Sequence, residues 1–400
     1  MQPLMKVDDL SLNPEDRDAE MRACLTGRGA NVDAWHGTRF VVIGNPDSRR
    51  VTYFQNALER RGLRPAEVIA WSEVLTQESD WRSRVPEGAI VRIDSPGESA
   101  DVERQLILRG AAVRNSASPS RFPEHGEILH HGLWFEGFRN VLEEISQKLP
   151  RVRFQNPPEQ IAAMFDKFIT QERLRSAEIS VPRSLGIVSD YDHLRKLMTE
   201  TGIRRVFLKL RSGSSASGII ALQAHRQHIV AVTSIEPIRH ESELRLFNSL
   251  RVNRWTDERQ IAAVIDALQP NGLIAEQWVP KAAMAGRTFD LRVLVIAGRA
   301  QHVVMRTSRG PLTNLHLGNE RGDVNFLRTC VSPPVWDAAM RSCEYTVNCF
   351  PQSLSAGVDV ALTAGFTKHV VFEVNAFGDL LPNVLHNGLD PCDAQLAAMI

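Results

Sequence analysis

The sequence predicts a mixed α/β protein: a small parallel-sheet portion over residues 38–150, then a longer α+β portion built on antiparallel strand pairs. Three observations predict it. In the first part, short apolar runs alternate with helical patterns, as in an open parallel sheet. In the second, Gly-marked turns at Ala297-Gly298 and Ala364-Gly365-Phe366 join extended segments, as hairpins require. Finally, 400 residues exceed what one small core supports, so two or three domains are expected.

Hydrophobic residues make up 43% and charged residues 24%, an ordinary globular composition. Lys plus Arg equals Asp plus Glu at 47 each, so no global charge draws the chain to nucleic acid or an anionic membrane, and neither is an expected partner. The five cysteines (Cys24, Cys330, Cys343, Cys349, Cys392) are odd in number and form no Cys-x-x-Cys pair. That argues against a disulfide framework and a thiolate zinc site, and fits reduced thiols in the cytoplasm. Residues 1–37 read as an N-terminal extension without the apolar core of a secretory signal, with a helix start at Asn13-Pro-Glu-Asp16. No later run is long and apolar enough to span a bilayer.

Arg39-Phe-Val-Val-Ile-Gly-Asn45 is an apolar run closed by Gly-Asn-Pro, followed by a helical pattern over residues 51–61 and a Gly62 stop. Val68-Ile-Ala-Trp71 and Ala89-Ile-Val-Arg-Ile93 read as further buried strands, and residues 101–109 as a helix. Together these predict a Rossmann-like domain over residues 38–150. Its first turn lacks Gly-x-Gly-x-x-Gly, so it reads as a scaffold or substrate wall without a dinucleotide site. His125, His130 and His131 lack the helical i, i+4 pairing of metal ligands and read as surface or capping residues. Residues 151–158, with Asn156-Pro-Pro, read as a linker. One helix is expected over residues 158–176, carrying Lys167. Strands follow at residues 206–210, 218–222, 273–279, 291–296 and 302–306, with helices at 256–268 and 334–350. Two further domains are expected, over residues 151–275 and 276–400.

The most informative stretch is Val370-Val-Phe-Glu-Val-Asn375, because alternate residues of a strand share a face and Glu373 and Asn375 therefore point together. Gly357-Val-Asp-Val-Ala-Leu-Thr363 runs into it through a Gly-containing link. A hairpin centred near Phe366 sets Asp359 across from Glu373. Two carboxylates and an amide carbonyl suit Mg²⁺, which keeps waters and takes nucleotide phosphate oxygens. A solvated charged face is the alternative.

The loop Arg211-Ser-Gly-Ser-Ser-Ala-Ser-Gly218 is nearly all small residues, so the backbone N–H groups of Ser212, Gly213, Ser214, Ser215 and Gly218 can approach a phosphate, with Lys209 adding a point charge. It is not a Walker loop, and a flexible hairpin is an equal alternative. Arg292 and Arg306 sit on adjacent strands where they could fork onto one anion; the alternative is cross-strand pairing with carboxylates, such as Asp290 beside Arg292. Asn314 and His316 alternate against Leu315 and Leu317 and share a face, a structural role being the alternative for His316. Glu276-Gln277-Trp278-Val279 ends a strand at a hinge where backbone groups could meet an adenine edge.

In order, Asp166-Lys167, Lys209 with its loop, Glu276-Gln277, Asp290-Leu-Arg292, Asn314-Leu-His316, Gly357-Val-Asp359 and Glu373-Val-Asn375 resemble the ATP-grasp superfamily over residues 155–385. The likeness is to its ribosomal-protein glutamate ligase-like and glutathione synthetase-like members, and to a bacterial ATP-grasp group. The resemblance implies a Rossmann-like pre-ATP-grasp domain followed by a two-lobed ATP-grasp fold, with ATP and Mg²⁺ (or Mn²⁺) as cofactors. By it, Lys167 and Lys209 hold phosphates, the 212–218 loop closes over them, and Glu276, Gln277, Trp278 and Val279 receive adenine, with Asn314 and His316 on the nucleotide side. Asp359, Glu373 and Asn375 match the metal positions, and Arg292 and Arg306 match basic residues that steady the transferred phosphoryl group. The implied reaction is ADP-forming ligation of a carboxylate to an amine or thiol through an acyl phosphate, on small-molecule or peptide substrates; a homodimer is left open. After Asn375 the chain departs from the common Asn-x-x-Pro-Gly, running Asn375-Ala-Phe-Gly-Asp-Leu-Leu-Pro-Asn383. Substrate identity is therefore not carried over. The alternatives are a small-molecule kinase of the same fold, with His316 or Asp379 as base, and a non-catalytic nucleotide-binding partner, which the intact metal trio argues against.

Overall fold

A computed structural model describes residues 37–76, 80–213, 216–225, 228–241 and 243–399. Apart from Gly37, the expected extension lies outside the described residues, as do Cys24, Ser214 and Ser215.

The first part is a four-stranded parallel sheet of β1 (Phe40–Gly44), β2 (Glu67–Ala70), β3 (Ile90–Ile93) and β4 (Arg153–Phe154), ordered β2-β1-β3-β4. Every residue of β1 is buried, which is why it reads as an unbroken apolar run. Trp71, expected to end a strand, opens the helix Trp71–Thr76, and its ring N–H donates to the Asp94 carbonyl at 3.0 Å. The stretch read as a linker contributes β4: Arg153 and Gln155 donate to the carbonyls of Ala89 and Val91, both at 2.9 Å. The prolines follow that strand and open the next helix, where a missing N–H costs nothing.

Helices Ala100–Val113 and His131–Lys148 meet through glycines. A Cβ on Gly110 would stand 1.9 Å from the Leu133 carbonyl oxygen, and one on Gly137 1.9 Å from that of Leu106.

The second sheet is antiparallel, ordered β5-β10-β6-β7-β8-β9, from β5 (Ser184–Val188), β6 (Arg205–Leu210), β7 (Ile220–His225), β8 (His228–His240), β9 (Glu243–Trp255) and β10 (Leu273–Gln277). Helices Tyr191–Thr201 and Glu258–Leu268 cover it over a core that includes Leu194, Leu208, Leu222 and Ile265. The long β8–β9 hairpin was not foreseen, because its far half is largely exposed and shows no sustained apolar face. β10 spans the expected division at 275/276, so a strand of this sheet, not a linker, carries the chain onward.

The third sheet is also antiparallel, ordered β14-β13-β12-β15-β16, from β12 (Arg287–Ile296), β13 (Arg299–Ser308), β14 (Glu320–Gly322), β15 (Ser355–Leu362) and β16 (His369–Asn375), with β11 (Ala283–Met284) pairing β12. Helix Pro333–Asn348 packs on it. One core runs from Val41, Trp71 and Phe138 beside the first sheet to Leu291, Val358 and Val371 in the third, so the two sheets are joined by continuous apolar packing.

The expected single helix at 158–176 is two, Pro158–Phe165 and Lys167–Ser176, broken at Asp166 with φ −82° and ψ 96°. Asp166 leaves the helical region because its carboxylate caps the second helix, accepting from Phe168 and Ile169, and also takes a bidentate grip from Arg211.

Gly110→Ala should cost about 3 kcal/mol or more, at the upper end of overpacking penalties because backbone is the obstacle. Urea unfolding of the variant should show a lowered midpoint, and Gly137→Ala the same.

Candidate functional site

The three sheets meet around a cleft of ≈ 450 Å³, within the usual range of small-ligand sites. Its floor is the β15–β16 hairpin. The register pairs Asp359 with Glu373 and Gly357 with Asn375, as the alternation required, with a register shift just after Asp359. Such irregularities re-aim side chains beside sites. The hairpin turns through Gly365 and Phe366, both at positive φ (81° and 54°). All three expected metal residues line the cleft.

Both metal-candidate carboxylates already hold cations, Glu373 through Lys167 and Asp359 through two arginines. Arg292 lies directly across from Asp359 and grips it with two N–H donors, the second at 3.1 Å. Arg306 reaches the same carboxylate at 3.2 Å and donates to Asp290 at 2.7 Å. Lys281 then joins Asp290 at 2.9 Å and the Thr313 hydroxyl at 2.6 Å. The result is a chain of alternating charges, Lys281–Asp290–Arg306–Asp359–Arg292, with Asp379 at its outer end 3.6 Å from Arg292. Against the upward push of burial, Arg306 and Lys281 hold the Asp290 carboxyl well below the usual range. Burial is likewise outweighed at Asp359 by Arg292 and Arg306, while at Lys281 burial wins and lowers the ammonium. Arginine pairing with carboxylates is thus what both expected basic residues do here, with Asp290 partnering Arg306 across the strands.

Lys167, the first residue of its helix, donates to Glu373 Oε1 at 2.7 Å and to the Gly213 carbonyl at 2.5 Å. It thereby ties the small-residue loop to the metal-candidate hairpin. Gly218 takes φ 63°, and a Cβ there would lie 2.7 Å from Leu210 Cγ, so only glycine fits the loop's exit. Ser217 is held by Asn248 at 3.0 Å and lies 3.4 Å from His131 Nε2. Burial, with Lys167 next, pulls His131 down to about 4, so its ring is neutral at physiological pH. Lys209 lines the cleft paired with Glu276; burial lowers it, but Glu276 and Glu373 leave it raised overall.

Asn314 and His316 also line the cleft, although on a 3₁₀ turn rather than a strand: Asn314 Oδ1 accepts from the His316 N–H at 2.9 Å. Gly213 lines it too. Ser212, by contrast, lines a separate groove, on the outer side of the loop.

The structure does not bring residues 276–279 to this cleft. Glu276 is 1% exposed, held by Lys209 and Gln171. Gln277 and Trp278 donate their backbone N–H groups to the carbonyls of Arg183 and Arg205, at 2.8 and 2.9 Å. Trp278 packs on Phe207 in one apolar cluster with Leu312 and Leu317.

Sequence reasoning missed Lys281, Thr313 and Arg50. Arg50 lines the cleft from the helix Arg49–Arg60 and donates to the Phe377 carbonyl at 2.8 Å. Phe377 belongs to the segment after Asn375 and packs with Phe165 and Phe138. Gly378 crosses so close to Gly357 that a Cβ on Gly357 would lie 3.2 Å from the Gly378 Cα.

No sequence family and no curated protein sequence matches this chain. Solved structures do. A structure of the ATP-grasp ligase PsnB, complexed with a phosphomimetic variant of its minimal precursor, Mg and ADP, is 16% identical with a TM-score of 0.53, covering 91% of this chain and 99% of that one. The macrocyclase MdnC bound with precursor peptide MdnA, from Microcystis aeruginosa MRC, gives 12% and 0.51 over 90% and 98%. The D-cycloserine synthetase DcsG gives 14% and 0.50 over 90% and 97%. The chain has the ATP-grasp fold. At these identities the likeness is one of architecture, and the chemistry has to be argued from the cleft.

Asp290→Asn should leave Arg306 and Lys281 short of a buried counter-charge and cost about 3 kcal/mol or more. Because the folded carboxyl is depressed, its stabilisation is present above the ordinary aspartate value of about 3.9 and fades as pH falls below it. Urea unfolding at neutral and acid pH should therefore show the wild type losing its advantage over the variant in acid.

Proposed function

We propose that the protein is an ATP- and Mg²⁺-dependent ligase that joins a carboxylate to an amine or thiol through an acyl phosphate. One observation carries this reading: Asp359, Glu373 and Asn375 converge from two paired strands in a cleft that also holds Lys167, Lys209 and the small-residue loop.

The donor set suits magnesium. Two carboxylates and an amide oxygen are hard oxygen donors, and the Asn375 amide nitrogen donates to the Gly357 carbonyl at 3.4 Å, leaving Oδ1 as the ligating atom. An ion held by this trio completes its shell with phosphate oxygens and water. When bound, Mg²⁺ supplies neutralisation of charge on the nucleotide's phosphate oxygens.

The chain's own residues do the rest. Lys167 exchanges Glu373 and Gly213 for a phosphate oxygen, which also frees the loop to settle over the nucleotide. Lys209 provides a second cation, and the loop excludes water. The substrate carboxylate attacks the γ-phosphorus and ADP leaves; the amine then attacks the acyl carbon and inorganic phosphate leaves, carrying off the displaced electron pair, while the amine's proton passes to solvent. No side-chain nucleophile is needed. Arg292 and Arg306 act here chiefly by fixing Asp359 in its ionised state. We propose that adenine binds beside residues 276–279, where the apolar cluster of Phe207, Trp278, Leu312 and Leu317 offers it a surface.

The test is hydroxylamine trapping. With MgATP and a panel of carboxylic acids, an accepted acid should give its hydroxamate together with ADP and phosphate, and Glu373→Ala should lower the rate about 100-fold or more. A product that retains the phosphoryl group, with no phosphate released, would move the reading to a kinase.

A further inference from the structure

The cations of the cleft fall into two sets. Lys167 sits on Glu373, Lys209 on Glu276, and Arg292 and Arg306 on Asp359. Arg49 and Arg50 line the same cleft and, among the described residues, form no ion pair. Arg50 spends one donor on the Phe377 carbonyl, whereas a guanidinium has five N–H groups and a fork that matches a carboxylate. Burial lowers its pKa, and Asp94, Asp379 and Glu98 raise it only from beyond ion-pair range. A partly desolvated cation without a counter-ion is costly. Its place in a cleft wall is accounted for by an anion that arrives with a ligand.

The location limits which anion. Ser48, Ser95, Gly97 and Glu98 line the cleft with these arginines, two cations to one acid, and this wall comes from the first sheet's side of the molecule, not from the strands bearing Lys209 and Glu373. Phosphates of a nucleotide have the lysines and the loop. The two unpaired arginines are left for the other substrate.

We infer that Ser48, Arg49 and Arg50 form a carboxylate subsite that holds a spectator acid group of the substrate, one that the ligation leaves unchanged. This rests on the ligase reading and narrows its substrate class: either the acid that is activated carries a second carboxylate, or the incoming amine is an amino acid with its carboxylate free. Because Arg50 is tied to Phe377, two residues past Asn375, an acid seated there also steadies the segment carrying the metal candidates.

The test is calorimetric titration of the whole protein, saturated with Mg²⁺ and a non-hydrolysable ATP analogue. Glutarate represents the diacid, L-alanine the amino acid, and L-alaninamide and butyrate lack the spectator carboxylate. Glutarate or L-alanine should bind, its counterpart should bind about tenfold more weakly or not at all, and Arg50→Gln should weaken the acid about tenfold. Arg50→Gln also removes the bond to the Phe377 carbonyl, so Arg49→Gln, at an exposed position and without that bond, provides the second variant and should weaken the acid too. Equal binding of acid and counterpart, binding of neither acid, or undiminished binding by both variants would overturn the subsite. Failure of the wild type to bind the nucleotide would count against the ligase reading instead, and the same acids titrated on the nucleotide-free protein would then decide the subsite alone.

Discussion

Asp359 stays ionised inside the protein because two arginines converge on it, and much of the third sheet is arranged to make that possible. Buried charges are tolerated only when paired and hydrogen-bonded. Here the pairs are cross-strand: Arg292 opposite Asp359, Asp290 opposite Arg306. A slip of one residue in either pairing would turn these side chains to opposite faces and strand several charges at once. The charge chain therefore specifies the register, and the register is what sets Asp359 across from Glu373. Lys281 extends the same control to Thr313, next to the turn bearing Asn314 and His316.

Two short segments convert that fixed floor into a cleft. The Asp166 break turns the second helix so that its first residue, Lys167, reaches both Glu373 and Gly213. The segment after Asn375 folds back over Gly357 and is caught by Arg50 from the first sheet's helix. Because one core joins the first and third sheets, the arginine wall and the carboxylate floor are held as a unit. Among the described residues of the small-residue loop, Arg211 is gripped by Asp166, Gly213 is tied to Lys167, and Ser217 and Gly218 are tied to Asn248.

Local pattern carried the parts of this arrangement that depend on period and turn chemistry. The alternation in residues 370–375 and the Gly365 turn sufficed to pair Asp359 with Glu373, and fully buried β1 announced itself as an apolar run. What escaped were features set by tertiary partners. The Asp166 break combines a local cap with a grip from Arg211, 45 residues away; β4 exists only because β3 offers it an edge; Lys281 shows no local sign of its buried partners. Residues 276–279 illustrate the opposite limit. The strand was expected to run to Val279 and ends at Gln277, and the clustering of Leu312 and Leu317 with Trp278 could not be inferred from it. Arg50 was invisible for a related reason, since the unpaired Arg49 and Arg50 become informative only once the lysines and the other arginines of the cleft are seen to have partners.

We propose that the Asp359, Glu373 and Asn375 floor and the two lysines form one nucleotide–metal site. Isothermal calorimetry of ATP binding, with and without Mg²⁺, tests it without knowledge of the other substrate. Binding should strengthen markedly with Mg²⁺ in the wild type and lose that dependence in Glu373→Ala. Folded wild-type protein that binds no ATP, or a variant that keeps the full magnesium dependence, would contradict it.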